Sequence, residues 1–537
     1  MSIDLKNLPD DIEELKRIIE SQNVAFEKQT IELEEQNTSL RNAKIELKVL
    51  QEKVNLLISR LFSKKSEKLG PVEEIQSVLF NEIESLYDSE PEFSLDEETV
   101  TIETHTRSKK RRKSIPDDLP RREIIIDIDE AEKTCGCGAV KSRISEEISE
   151  KIDYIPAEAF VRRTIRPKYA CRKCQGADDE GQPVAIAPVP PSIMGKSILA
   201  EGIFGHIIVS KFADGLPFHR QEAILRRAGI EISRRVMAEN AIRVSEGLEP
   251  LRKLLLEEIK NAHHIGIDET RFQVLKEPGK RADQMSFLWH ILAHTREGPV
   301  PVFLYRPDRS AKFLEDILDG FTGSVITDGY ASYNFLNSKN NIIHAGCNTH
   351  ARRKFVEADK VSKNNLDTLK VLNLYAKIYK IESDWKKSSQ DLFELGKLRH
   401  EKSRPLMDEL KLHLDRLSVS VNPSGNLGKA VSYTLGEWDG LTKFLDHHEI
   451  PIDNNAVENG IRPFVIGRKN WLFADTQSGA HASALFYTLI EGAKAVDLDP
   501  SVYMSYLLYN APRAVTERDW RALLPISLKG KDLTLPG

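Results

Sequence analysis

A chain of 537 residues exceeds one ordinary domain; at roughly 150 residues per domain it has room for three or four. Hydrophobic residues make up 40% of it and charged residues 30%, enough for real cores under a solvated surface. No apolar run approaches the roughly 18 residues of a membrane span, and the start MSIDLKNLPDD lacks the basic and apolar regions of a signal peptide, so a cytoplasmic protein is expected. With 77 basic and 82 acidic residues the net charge is -5, and any nucleic-acid binding must come from local basic patches. Five cysteines, four of them in two close pairs, exclude a disulfide scaffold and read as metal ligands before disulfides.

The first segment, residues 1–64, carries a seven-residue repeat: Ile12, Ile19, Phe26, Leu33, Leu40, Leu47, Val54 and Leu61. Leu15, Ala43, Leu50 and Leu57 stand three further on, with Gln22, Gln29 and Gln36 as polar exceptions. A period of roughly 3.5 residues held this long makes a left-handed coiled coil. One such stripe needs a partner, so a homodimer or higher oligomer is expected; the alternative is a long amphipathic helix packed on its own body. In the linker that follows, residues 65–115, there is no Lys or Arg between Lys68 and Arg107, and then comes a basic block from Arg107 to Lys113. Acidic-then-basic sequence of this kind reads as disordered. Arg111 and Arg112 in the basic block either grip phosphates without sequence preference or fold back on the acidic neighbour.

Residues 116–180 hold Cys135 and Cys137, then Cys171 and Cys174. A CxxC knuckle brings two thiolates to one tetrahedral centre. The first pair is one residue shorter, with glycines that permit the turn. Strands are expected at Glu147–Val161 and Thr164–Tyr169, giving a zinc ribbon with structural Zn²⁺; reduced thiols without metal, or redox chemistry, are the alternatives. Residues 181–255 turn helical: a short helix at Gln221–Ala228, a turn at Gly229, Ser233 as N-cap, and Met237, Asn240, Ala241 and Val244 on one face. That is the outline of a helix-turn-helix, with Arg234 and Arg235 placed for DNA, or of a plain helical scaffold.

Three carboxylates then stand out. Asp268 follows the apolar stretch His264–Ile267, Asp328 follows Gly323–Thr327, and Glu458 lies about one turn into a helix that Asp453 or Asn454 can cap. Hard oxygen ligands at two strand ends and a helix start suit two Mg²⁺ or Mn²⁺ ions about 4 Å apart, as phosphoryl transfer uses them. Taken singly, each is as readily a turn former or a cap. Arg462 shares a helix face with Glu458, and Arg468 and Lys469 flank Trp471 and Phe473, placing cations where a DNA phosphate would arrive. Cys347 and His350 precede Arg352 and Arg353, which are expected to contact DNA, and Lys354. Two ligands make a metal site unfavourable here; a buried Cys, with His350 donating to DNA or the site's edge, is the preferred reading.

These residues carry a family resemblance. RLFSKKSEKL at 60–69, RPKYACRKC at 166–174 and SKFADGLPFHRQEAILRRAGIEI at 210–232 resemble the large transposase of the sixty-six family of bacterial insertion sequences, a DDE-type enzyme. So do IDET at 267–270, TDGYASYN at 327–334, GCNTHARRKF at 346–355 and IDNNAVENGIRPFVIGRKNWLFA at 452–474. The resemblance implies that Asp268, Asp328 and Glu458 form the catalytic metal site. It also implies a ribonuclease-H-like core in two parts, 256–358 and 451–490, split by a helical insertion at 359–450 and followed by a tail at 491–537. The fold class is then multidomain α+β: coiled coil, zinc ribbon, helix-turn-helix-like domain and α/β catalytic domain. The chain departs from the family at Asn459 and Gly460, where Arg and Ala are usual, and at Asn348 and Thr349, where Trp and Ala are common.

The function expected is DNA transposition: binding of element ends, metal-dependent phosphodiester hydrolysis, and 3′-hydroxyl strand transfer into target DNA in the nucleoid. Accessory proteins of the same element are possible partners, and no membrane is expected. The rival readings are a non-catalytic zinc/helix-turn-helix DNA-binding protein and a metal-dependent nuclease that cuts without joining.

Overall fold

The computed structural model describes residues 160–170 and 184–533, except 364, 389 and 390, together with single helical residues between Lys16 and Gln36. Residues 71–166 cluster as a unit of their own, and of these 160–166 are described, without regular structure. Of the strand expected at 164–169 only the end forms. Strand β1, Lys168–Ala170, pairs antiparallel with β2, Val184–Ile186, and starts just after Pro167, which has no N–H to give a ladder.

Four helices follow: α1 (Glu201–Phe212), α2 (Phe218–Arg227), α3 (Arg234–Gly247) and α4 (Glu249–Lys260). Helix α2 starts three residues before the expected Gln221, because Pro217 already has the extended N-cap geometry. Gly229 takes a φ of 78° in the turn, which costs glycine nothing, and the Ser233 hydroxyl caps α3 by accepting from the Val236 N–H. Met237 and Val244 on α3 are completely buried, as the one-face pattern requires.

The sheet is built from β3 (His264–Lys276), β4 (Met285–His294), β5 (Pro299–Arg306), β6 (Gly323–Thr327) and β7 (Ile342–Gly346). Their order across the sheet is β5-β4-β3-β6-β7, and a short β8 (Ala474–Thr476) pairs with the far end of β3. β3, β4 and β5 form an antiparallel meander, whereas β6 and β7 run parallel to β3. Strands β4 and β5 are buried on both faces and accordingly read as near-continuous Leu, Ile, Val and aromatic runs.

Between β5 and β6 lies the short helix α5 (Phe313–Ile317). After β7 the chain runs through α6 (Asn348–Val361), α7 (Leu366–Ser388), α8 (Leu392–Leu398), α9 (Arg404–Ser420), α10 (Asn426–Gly436) and α11 (Trp438–Asp446). Val371, Leu374, Tyr375 and Ile378 bury one stripe of α7. Arg399, 1% exposed, grips Glu382 through two bonds of 2.7 and 2.8 Å and donates to the carbonyls of Phe444 and Ile450. That single guanidinium ties α7 to the end of α11.

The chain then returns to the sheet as α12 (Asn455–Trp471), α13 (Gln477–Ala495), α14 (Pro500–Asn510) and α15 (Glu517–Arg521). Helix α13 covers the meander: its Thr488 hydroxyl accepts from the Phe303 N–H at 2.8 Å. Phe212 of α1 stacks on Phe486 and meets Tyr487 edge-on, so the first helices and the sheet share one hydrophobic core.

Candidate active site

Asp268 lies inside β3 rather than at the strand end expected, because the antiparallel pairing with β4 carries the strand on past it toward Lys276; the parallel pairing with β6 has just ended at Gly266. Gly266 is what allows α12 to approach. A Cβ there would meet Val457 Cγ2 at 2.2 Å and Asn454 Oδ1 at 2.7 Å. The close approach is bonded as well as packed, since Asn454 Nδ2 donates to the Ile267 carbonyl at 2.9 Å and His290 Nδ1 donates to the Val457 carbonyl at 3.0 Å. Burial holds the His290 imidazole neutral, lowered to about 4, and it stacks on Phe303 with ring centroids 4.4 Å apart. Glu458, one residue past Val457, is thereby set beside Asp268.

Asp328 stands just past the end of β6, its Oδ1 accepting from the Tyr330 N–H at 3.0 Å. Glu458 and Asp328 lie near enough to Asp268 for their charges to act on it. Burial first, then the charges of Glu269, Glu458 and Asp328, push the Asp268 carboxyl well above the usual carboxylate range. The Glu269 N–H, donating to Asp268 Oδ1 at 2.9 Å, opposes that rise. Asp328 also raises Glu437, after burial, so negative charge accumulates around this end of the sheet. Glu458 Oε1 is buried and has no hydrogen-bond partner among the described residues. Carboxylates crowded together with an unused oxygen suit divalent cations.

Neighbours outside the expected set hold the site. The Glu269 side chain is 2% exposed and satisfied by Arg309, at 2.6 Å from Nε, and by the Tyr333 hydroxyl at 2.5 Å. Helix α6 supplies Arg353, which donates to Glu458 Oε2 at 3.2 Å, and His350, whose Nδ1 lies 3.6 Å from Glu458 Oε1. Cys347, the α6 N-cap, is buried, and its Sγ accepts from the Asn454 N–H at 3.3 Å. The helical block also reaches the site: a Cβ at Gly329 would meet the Tyr433 hydroxyl of α10 at 2.7 Å. Capping of α12 differs from expectation. Asn454 is the N-cap residue but its side chain bonds β3 instead, and Asp453 Oδ1 accepts from the Asn455 N–H at 3.0 Å.

The expected DNA-facing cations are distributed unevenly. Arg234 and Arg235 are exposed at the start of α3, with Arg235 paired to Glu239 at 2.7 Å. Lys469 is exposed, Arg462 is half-buried, and Arg468 donates to the Thr270 hydroxyl at 3.4 Å. Arg352 is buried, at 8% exposure, which leaves Arg353 as the member of that pair beside the carboxylates. Arg111, Arg112, Cys135, Cys137, Cys171 and Cys174 lie outside the described residues.

Residues 196–482 match the model of the transposase IS66 family. The chain belongs to that family. Residues 132–175 match the zinc-finger binding domain of transposase IS66, and residues 49–124 match a segment described as transposase C of IS166 homeodomain. Three uncharacterized proteins of Sinorhizobium fredii are similar along most of the chain. One, y4jD, is 34% identical over 406 residues, covering 73% of this chain and 77% of its own. Another, y4qI, is 29% identical over 98% of this chain and 99% of its own, and y4hP is 27% identical over 76% of each. Among the described residues no helix is long and apolar enough to cross a membrane.

The structure accounts for most of this transposase-family chain's departures. A Cβ at Gly460 would fall 2.2 Å from His290 Cε1, so an alanine is incompatible with the histidine that bonds Val457. Asn348 Nδ2 donates to the Leu441 and Ile452 carbonyls at 2.9 and 3.1 Å, and the Thr349 hydroxyl donates to Asp453 at 3.1 Å. Both therefore brace the loop that leads into α12. Asn459 is exposed, and nothing in the structure explains its presence.

Proposed function

We propose that this transposase-family chain is a DDE-type DNA transposase in which Asp268, Asp328 and Glu458 are the catalytic carboxylates. The observation that carries the reading is the crowding at Asp268: after burial, the charges of Glu269 on the same strand, Glu458 on α12 and Asp328 past β6 all raise its carboxyl. Two Mg²⁺ or Mn²⁺ ions, when bound, would supply nucleophile activation and charge neutralisation at the leaving 3′ oxygen. The strand order, an antiparallel meander continued by two parallel strands, supports a ribonuclease-H-like core. In this reading 256–358 and 451–490 form the core, and 359–450 is an insertion that reaches Gly329 through Tyr433.

The protein's part is to hold and orient. Asp268 and Asp328 are fixed by backbone N–H donors, and Glu458 is oriented by Arg353. Arg462, Arg468 and Lys469 line the helix along which a phosphodiester would approach, and Arg234 and Arg235 serve end binding. A water hydrolyses the phosphodiester at each element end, and the freed 3′-hydroxyl attacks target phosphorus in line, with no covalent protein intermediate. Catalysis here is positioning and charge stabilisation. Cys135, Cys137, Cys171 and Cys174 would hold one structural Zn²⁺, a proposal supported by the zinc-finger match across residues 132–175. The working assembly would be a dimer or higher, acting in the cytoplasm on nucleoid DNA, with accessory proteins of the same element as further partners.

Strand transfer of labelled element ends, with and without Mg²⁺, tests the reading. A transposase joins ends to target, a nuclease cuts without joining, and a binder does neither; failure to join with active, folded protein would refute the proposal.

A further inference from the structure

Beside the carboxylates is a second ligand set of different chemistry. Cys347, His350 and Glu458 each offer one ligand atom, and the three atoms lie within 4.8 Å of one another. We infer that these residues form a binding site for one thiophilic divalent cation of the zinc class, sharing Glu458 with the proposed catalytic site. The inference rests on the transposase reading only for that second role of Glu458; the sulfur, nitrogen and oxygen set stands by itself.

Geometry supports it first. Bonds of about 2.0–2.3 Å space the ligands of a tetrahedral ion about 3.3–3.8 Å apart. His350 Nδ1 and Glu458 Oε1 are 3.6 Å apart, inside that interval. That separation is too long for a hydrogen bond. Both atoms are nonetheless buried, and neither has a hydrogen-bond partner among the described residues. Two facing polar atoms left this way are costly unless something sits between them. A cation satisfies both at once.

The sulfur environment points the same way. Cys347 Sγ accepts from two backbone N–H groups, those of Asn454 and His350. Donors aimed at a metal-bound sulfur are the usual outer support of such a site. Thiolate with imidazole selects zinc-class ions over Mg²⁺, which demands oxygen ligands. The site is held by two anchored backbones: the start of α6 carries Cys347 and His350, and Gly266 and Asn454 fix the start of α12. Three protein ligands leave a fourth position for water or a substrate oxygen.

The test is zinc content of the full chain after equilibration with zinc and removal of excess, in wild type, His350→Ala, Cys347→Ser and Asp268→Asn. Zinc in the proposed ribbon is common to all four and cancels. The expected result is one equivalent less zinc in His350→Ala and in Cys347→Ser than in wild type, with Asp268→Asn unchanged. Cobalt substitution should give a sulfur-to-metal absorption band whose intensity falls by the same increment. Cys347 is buried, so circular dichroism checks the fold of its variant, and the half-buried His350 provides the second measurement. Equal zinc in all four proteins overturns the proposal, and so does loss in His350→Ala with none in a folded Cys347→Ser. Strand transfer by zinc-loaded wild type with Mg²⁺ is scored separately: its absence sinks the transposase reading while leaving the zinc count intact.

Discussion

Replacing Gly266 by alanine is the sharpest test of how the carboxylates are brought together. The added methyl would sit 2.2 Å from Val457 Cγ2 and 2.7 Å from Asn454 Oδ1. Ordinary carbon contacts begin at about 3.5 Å, so α12 must retreat by about 1.3 Å at Val457 or β3 must bend. Overpacking of this kind costs about 1–3 kcal/mol. The retreat also stretches two bonds that hold α12, from Asn454 to the Ile267 carbonyl and from His290 to the Val457 carbonyl. Because Glu458 follows Val457 directly, it moves away from Asp268, and a displacement of about 1 Å at a catalytic group costs on the order of 100-fold in rate. Gly266→Ala should therefore lose about 1–3 kcal/mol in chemical denaturation and about two orders of magnitude in strand transfer, while end binding, which depends on other surfaces, persists. The double variant Gly266→Ala with Val457→Ala should recover part of the stability, since the nearer of the two obstructions is gone. Full stability and full activity of the single variant would refute the close approach of α12 to β3.

Other consequences are more direct. Asp268→Asn should abolish both cleavage and joining while element ends are still bound in a gel-shift assay. Arg399→Ala should destabilise the helical block by about 3–5 kcal/mol in denaturant unfolding, because Glu382 is left buried and unpaired, whereas a surface pair such as Lys411 and Asp415 should contribute about 1 kcal/mol or less. His264 and His290 are buried and lowered to about 3 and about 4, so the folded state keeps them neutral while the unfolded chain protonates them below about 6.5. Their contribution is complete above that pH and falls, by up to about 2.7 kcal/mol per pH unit, as pH drops toward 4; a stability curve without loss between pH 6 and 4 would contradict it. Phe26, a seam position of the heptad stripe, is helical and 70% exposed, an apolar surface that a second helix would cover. Sedimentation should accordingly give a dimer or larger for the wild type and a monomer for the double variant Leu40→Glu with Leu47→Glu, since a charge in the seam is costly when unpaired.

How much was legible in the sequence depends on how local the signal is. The placement of Asp268 on β3, Asp328 after β6 and Glu458 early in α12 was readable because each sits in a short motif with its own periodicity: an apolar run that becomes a strand, or a turn that opens a helix. Ser233 was readable for the same reason, since a cap acts within four residues, and the Val236 N–H is its partner. Glu269 sits beside Asp268 in the same motif yet shows no sign of its role. Its partners, Arg309 and Tyr333, come from other elements, and no pattern within β3 reveals them. The pairing of His290 with Gly460 was hidden for a steric reason. A glycine inside a helix reads as a weak helix former, and only the imidazole across from it shows that the missing Cβ makes room for a ring.

Cys347 and His350 show the limit most clearly. Their spacing offers two ligands at the start of one helix, and two ligands hold a cation poorly, so sequence alone argues against a metal there. The third ligand arrives on α12, and its position depends on Gly266 allowing that helix against β3. One glycine thus decides two properties at once: how closely Glu458 approaches Asp268, and whether its Oε1 faces His350. If the zinc-class site and the carboxylate site both exist, they are coupled through that helix. Gly266→Ala should then weaken zinc retention and strand transfer together, whereas Asp268→Asn abolishes strand transfer and leaves the zinc content unchanged.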